Sequence, residues 1–212
     1  MSKLSNLQLI NHPLLQHKLG LMRDRNTRPP EFRRLMEEIA FLLAYEAIRD
    51  FSHVNREVES PFGKTFVASM EDRPVVVSIM RAGNGMLRGV LDVIPFASAG
   101  HIGIYRDKFL NSTVEYYFRL PEKIQDKRVL VVDPLLATGD TALATVERIK
   151  QYGVKEVRML TICASISGVA RMAEYHPDVK IFAVSVEESM DANGFLIPGI
   201  GDAGSRLYGT GE

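Results

Sequence analysis

Hydrophobic positions along this chain fall into two alternating rhythms. Near-continuous apolar runs, PVVVSIM at 74–80 and VLVV at 129–132, read as strands buried on both faces. The stretches 156–163 and 180–186 extend that series. Between them the period lengthens to that of amphipathic helices, over 142–152 and near 168–175, with Gly153 placed to end the first. A short helix ending near Val93 follows the strand at 74–80. Upstream, Glu31 to Phe51 predicts a long helix introduced by Pro29-Pro30, with Phe32, Leu35, Ile39, Leu42, Leu43 and Ala47 at helical spacing. An extended N-terminal arm precedes it. His101–Arg106 and Val114–Leu120 alternate like the arms of a hairpin, joined by a polar connection at 107–113. Strands and helices in this alternation predict an α/β fold, a parallel sheet covered by helices.

No repeat, low-complexity tract or linker interrupts the pattern. The chain reads as one domain over 1–212, with a core at about 70–188 and an N-terminal arm and helix at 1–52. The segment at about 189–212 departs from both rhythms: six of the sixteen glycines lie between Gly194 and Gly211. That density excludes a regular helix or strand. Phe195, Leu196, Ile197 and Ile200 give the segment something to bury, so a compact loop that reads a ligand with backbone groups is favoured over a loose tail. Asp202 is a lone carboxylate in its middle.

Composition narrows the function classes. Among 212 residues, 26 Lys and Arg balance 26 Asp and Glu, which leaves no electrostatic footprint for nucleic acid or an anionic membrane. The single cysteine, Cys163, excludes an intrachain disulfide and a cysteine-rich zinc site, and its apolar setting reads as a structural thiol. Five scattered histidines form no metal-ligand spacing. The N-terminus lacks a signal-peptide core and no apolar run reaches membrane-spanning length, so a cytoplasmic protein is expected.

Chemistry concentrates in VLVVDPLLATGDT, residues 129–141. Asp133 stands where a buried strand ends, and in parallel α/β sheets ligands bind at that end. The turn of Ala137, Thr138, Gly139, Asp140 and Thr141 then enters a helix, and its backbone N–H groups suit a phosphate. The same residues also satisfy an ordinary strand–turn–helix connection with Asp140 as cap, and the generic pattern leaves both readings open. The glycine-rich turn RAGNGM after the strand at 74–80 can aim Arg81 at a polyphosphate with bidentate geometry. Arg106, at the end of a hairpin arm, reads on its own as a surface residue. No Gly-Lys-Ser/Thr string occurs, which disfavours an ATPase loop.

These strings resemble those of the type I phosphoribosyltransferases, and HPLLQHKLGLMRDRNT, MRAGNGM, IGIYRD, DPLLATGDT and FLIPGIGDAGSRLYGT together resemble the uracil phosphoribosyltransferase family along nearly the whole chain. The resemblance implies the type I phosphoribosyltransferase fold, with a protruding β-hairpin and a C-terminal base-binding hood. It implies transfer of the 5-phosphoribosyl group from 5-phosphoribosyl 1-pyrophosphate (PRPP) to uracil, giving UMP and pyrophosphate with inversion at the anomeric carbon and with Mg2+ on the pyrophosphate. By the same resemblance Arg81 and Arg106 take pyrophosphate, and Asp133 takes the ribose hydroxyls. Pro134, Leu135, Leu136, Ala137, Thr138, Gly139, Asp140 and Thr141 form the PRPP loop. Leu196, Gly201 and Ala203 read uracil through their backbone, beside Phe195, and Asp202 faces PRPP and its metal or waters. Implied partners are PRPP, uracil, a homodimer or homotetramer and a GTP effector, with no nucleic acid and no membrane. Three positions depart from the family pattern: Phe195 stands where Tyr is common, Asp140 where Gly is frequent, and Arg88 where an acid is frequent. Asp140 is expected to point outward and cap the helix. Two rival readings are a phosphoribosyltransferase for another nucleobase and a non-catalytic PRPP or nucleotide sensor of the same fold; the tail and the zero net charge weigh against them.

Overall fold

The structure, a computed structural model, describes residues 6–107 and 112–210. In chain order its elements are β1 (Leu7–Leu9), α1 (Pro13–Arg23), α2 (Pro29–Ala47), β2 (Val54–Ser60), β3 (Gly63–Ser69), β4 (Val75–Met80) and α3 (Asn84–Val93). Then come β5 (Ser98–Asp107), β6 (Ser112–Arg119), β7 (Arg128–Val132), β8 (Leu135–Leu136), α4 (Asp140–Lys150), β9 (Glu156–Ser165) and α5 (Ile166–Tyr175). The chain closes with β10 (Lys180–Glu187), β11 (Ser189–Met190), β12 (Leu196–Ile197) and α6 (Ala203–Tyr208).

The main sheet runs β1-β10-β9-β7-β4-β5-β6 and is parallel except for the β5–β6 hairpin. Alternation along each strand divides the core in two. Val76, Leu130, Val132, Leu160, Ile162 and Phe182 face α1, α2 and α3, whereas Val75, Val77, Val129, Val131, Met159 and Ala183 face α4 and α5. Both faces are covered, which is why these strands are mostly apolar along their length. From β4 the chain crosses through α3 to β5 on one side, and from β7 through α4 to β9 on the other. The reversal leaves a crevice at the carboxyl ends of β4 and β7, the topological switch point at which open α/β sheets bind ligands.

Two expectations change. The N-terminal arm is not simply extended: β1 adds a parallel edge to β10, and α1 starts at Pro13 with the His12 side chain accepting from the Leu14 N–H. The tail is not devoid of regular structure, since β12 pairs with β11 and α6 closes the fold. The separate β2–β3 ribbon had no counterpart in the apolar pattern, because nearly all of its residues are exposed. Of the polar connection at 107–113, residues 108–111 lie outside the described residues.

Candidate active site

The crevice is floored by two turns that touch. Gly83 lies against the end of β7 so closely that a Cβ there would fall 2.4 Å from the Val132 carbonyl oxygen. The turn carrying Arg81 is thereby packed on the residue before Asp133. Ser78, buried within β4, donates its hydroxyl to the Asn84 side-chain carbonyl and ties the turn back to its strand. The Met80–Arg81 peptide is cis. Arg81 itself is exposed, with its guanidinium 5.5 Å from the Tyr208 ring and its carbonyl accepting from the Tyr208 hydroxyl at 3.1 Å.

Asp133 follows β7 and is half-buried. Burial pushes its carboxyl up to about 7, opposed only by a long 3.5 Å contact from the Leu135 N–H. A carboxyl in that position exchanges its proton near neutrality, and an arriving cationic or hydroxyl-rich partner draws it to the charged form. The next three residues turn inward. The Pro134 carbonyl accepts from the N–H groups of Ile162 and Cys163 at 3.1 and 3.0 Å, β8 pairs with β9 at Cys163 and Ala164, and Leu136 is buried. They form the floor beneath the loop. Ala137, Thr138, Gly139, Asp140 and Thr141 form its rim. Gly139 caps α4 with a φ of 85°, in the left-handed region where a Cβ is disfavoured.

Asp140 does not point outward as a cap. It is the first residue of α4, and its carboxylate pairs with Arg171 while accepting the Thr138 hydroxyl at 2.9 Å. Arg171 belongs to α5 and escaped the sequence reading because its partner is 31 residues away.

The hood is equally constrained. Asp191 N–H donates to the Phe195 carbonyl at 2.9 Å, which makes Met190–Leu196 the non-hydrogen-bonded pair of the β11–β12 ladder. The Leu196 N–H and C=O therefore point away from β11, while its side chain is buried. A cis Ile197–Pro198 bond and Gly199 and Gly201 at positive φ lead into α6. Asp202 is exposed and caps α6 by accepting from the Ser205 N–H at 2.8 Å, Ala203 is buried in the first turn, and Phe195 is 39% exposed, open to a ligand. Arg206 clamps the segment, donating to the carbonyls of Ile200 at 2.9 Å, Met22 at 2.5 Å and Asp24 at 2.6 Å over the Phe32 ring. Arg23 donates to the Gly199 carbonyl at 2.9 Å and pairs with Glu187 at 2.5 Å. Both arginines sit within predicted motifs, yet only the fold shows that they hold the hood to the N-terminal arm.

Arg106 lies on β5, next to β4. The register pairs Met80 with Gly103, so the Arg106 backbone is three residues, about 10 Å, beyond the level of Arg81's strand. Its side chain is outside the described residues. Arg88 is exposed on α3, and nothing in the structure explains its presence. Among the described residues no group of three or more His, Cys, Asp and Glu side chains could hold a metal ion, and no helix is long and apolar enough to cross a membrane.

This chain is similar to known proteins along nearly its whole length. The family model described as uracil phosphoribosyltransferase matches residues 9–210. A uracil phosphoribosyltransferase of Legionella pneumophila is 46% identical over 207 residues, covering 97% of each chain. The structure of the AQ2163 protein from Aquifex aeolicus superposes with a TM-score of 0.90 at 34% identity, covering 95% of this chain and 97% of that one. A purine phosphoribosyltransferase from Pyrococcus horikoshii shares the fold, with a TM-score of 0.51 at 17% identity over 72% of this chain and 83% of that one. The strand-end carboxylate, the glycine-rich turn packed against it and the capped hood thus lie within one matched span, and the chain belongs to the uracil phosphoribosyltransferase family.

Proposed function

We propose that this protein transfers the 5-phosphoribosyl group of PRPP to uracil, releasing pyrophosphate and forming UMP. The observation that carries the reading is the contact between the Arg81 turn and the end of β7, with the hood tied to that same turn through Tyr208. This arrangement lets a single sugar lie between a phosphate loop, a pyrophosphate turn and a base-reading segment.

Mg2+ carried by PRPP would neutralise the pyrophosphate and make it a better leaving group. Arg81 and Arg106 take the pyrophosphate oxygens, and Ala137–Thr141 take the 5-phosphate. Asp133 accepts the ribose hydroxyls and, once ionised, favours the positive charge that grows at the anomeric carbon as the bond to pyrophosphate lengthens. Asp202, whose α6 cap uses only one oxygen, would offer a hard-oxygen partner to a metal carried by PRPP or to its waters. Uracil N1 attacks from the opposite face, and its N1 proton leaves to solvent or a phosphate oxygen. Leu196, Gly201 and Ala203 read the O4, N3 and O2 edge, with Phe195 as a wall.

The chain acts as one unit, a core at about 70–188 with the hood and the N-terminal arm closing over it. It works in the cytoplasm as a homodimer or homotetramer, open to GTP as effector.

The deciding experiment is UMP formation with uracil, 5-fluorouracil, cytosine or hypoxanthine competing at saturating PRPP. Cytosine reverses two of uracil's three edge groups, and a backbone reader cannot flip to compensate. Rejection by roughly four orders of magnitude is expected. Fluorine at C5 leaves the edge intact, so 5-fluorouracil should compete. Efficient turnover of cytosine or hypoxanthine would overturn the assignment of the hood.

A further inference from the structure

Asp140 places a carboxylate in the first turn of α4, on the rim that would receive the 5-phosphate. Two anions side by side repel, and the loop contains the countermeasure. Arg171 Nη1 pairs with Asp140 Oδ1 and reaches the Thr138 carbonyl at 3.5 Å. The pair is asymmetric: the Asp140 side chain is only 13% exposed and the Arg171 side chain 43%. The carboxylate is therefore drawn into the loop rather than left in solvent. Its other oxygen holds the Thr138 hydroxyl at 2.9 Å.

The base of α5 fixes this arrangement. The Ser165 hydroxyl donates to the Ala137 carbonyl at 2.6 Å and accepts from the Gly168 N–H at 2.7 Å. A Cβ on Gly168 would fall 2.3 Å from the Ala137 carbonyl oxygen, so loop and helix are in direct backbone contact. Arg171 is three residues on, one turn along the same face. Its reach to Asp140 is thus set by the packing that also holds the loop.

We propose that Arg171 is a positioning residue for the 5-phosphate: it neutralises Asp140 and holds the loop in its phosphate-accepting form without touching the phosphate. The inference rests on reading residues 137–141 as the 5-phosphate site. Without phosphate, the Asp140 carboxylate takes the Thr138 hydroxyl that a phosphate oxygen would otherwise accept. When phosphate binds, the hydroxyl turns to it, and Arg171 keeps the carboxylate from opposing the exchange.

The test is a double-mutant cycle of Arg171→Ala, Asp140→Asn and their combination. Its readouts are the PRPP Michaelis constant, turnover, and the affinity for ribose 5-phosphate by calorimetry. Arg171→Ala should weaken ribose 5-phosphate and raise the PRPP constant by about tenfold, with little change in turnover at saturation or in the uracil constant. Removing the opposing charge with Asp140→Asn in the Arg171→Ala background should recover most of that loss, and Arg171→Lys should retain most of the affinity. A double variant as weak as Arg171→Ala, or an unchanged Arg171→Ala, overturns the proposal. Ribose 5-phosphate binding reads the loop without turnover, so a wild-type protein that binds it yet makes no UMP would refute the functional reading and not this one.

Discussion

Asp133→Asn should make the protein more stable above neutral pH while abolishing most of its activity. Burial raises the Asp133 carboxyl from its usual 3.8 to about 7. Between those values the folded chain binds a proton that the unfolded chain has released, so folding stability falls as pH rises through this window and levels off above about 7. At 1.36 kcal/mol per pH unit over about three units, the cost of an ionised Asp133 reaches about 4 kcal/mol, a ceiling because the side chain keeps partial exposure. At pH 5 only about 1.5 kcal/mol of it has developed. An amide carries no charge at either pH. The stability advantage of Asp133→Asn over the wild type should therefore grow by about 2–3 kcal/mol between pH 5 and pH 8. Urea unfolding of both ligand-free proteins at the two pH values measures it, with equal slopes as the check that only stability has changed. A gap that stays constant or narrows with pH would refute the argument that the carboxyl is held near 7 by burial. On the activity side, kcat/KM for PRPP in the wild type should fall about tenfold per pH unit below 7, as the ionised form is lost. In Asp133→Asn, turnover should drop far more than PRPP affinity, because the lost interaction grows toward the transition state.

Arg81→Ala should raise the PRPP Michaelis constant and slow turnover together, and steady-state kinetics with PRPP varied will show it. Arg106→Ala should also weaken PRPP use; unchanged PRPP constants in both variants would mean that the pyrophosphate subsite is elsewhere. Arg206→Ala releases carbonyls from α1, the following turn and the hood, so the uracil constant should rise about tenfold or more, with the PRPP constant less affected. Arg158→Ala removes a buried guanidinium that ties Glu156, Asp50 and the Ala47 carbonyl together over Phe51. Its partners' carboxylates are substantially exposed and can be rehydrated, so the loss should be about 2–3 kcal/mol, less than the roughly 3–5 kcal/mol of breaking a fully buried pair, as read by thermal or urea unfolding.

The central sheet was legible because burial on both faces leaves a mostly apolar run, and β4, β7, β9 and β10 each carry one, broken internally only by Ser78, Arg158, Thr161 and Ser185. The two turns at the carboxyl ends were legible for a related reason, the sudden change to glycine, threonine and charge after such a run. That change alone fits an ordinary strand–turn–helix connection equally well, and only the resemblance to the family's strings pointed to phosphate. The β2–β3 ribbon left no trace because neither of its faces is buried. In α1 the signal was present and weak. Leu15, Leu19 and Met22 recur at helical spacing and are buried, but polar residues and a glycine dilute the stripe. What the sequence could not supply is the pairing of distant charges. Arg171 with Asp140, Arg23 with Glu187, and Arg206 with the Met22 and Asp24 carbonyls depend on which elements the fold makes adjacent.

The tail is the instructive case, because its glycine content argued correctly for a special backbone and incorrectly against a helix. Gly199 and Gly201 take the positive-φ turns that aim the backbone, and the helix begins only after Asp202 has capped it. Six residues are too few for a helix to stand alone in water. α6 persists because both ends are held: Asp202 caps its start, while in its last turn Arg206 binds carbonyls of the N-terminal arm and Tyr208 bonds the Arg81 carbonyl. One short element therefore runs from the end of the glycine-rich segment to the turn that carries Arg81. Disturbing either end should be felt at the other, which would couple the proposed uracil and pyrophosphate subsites.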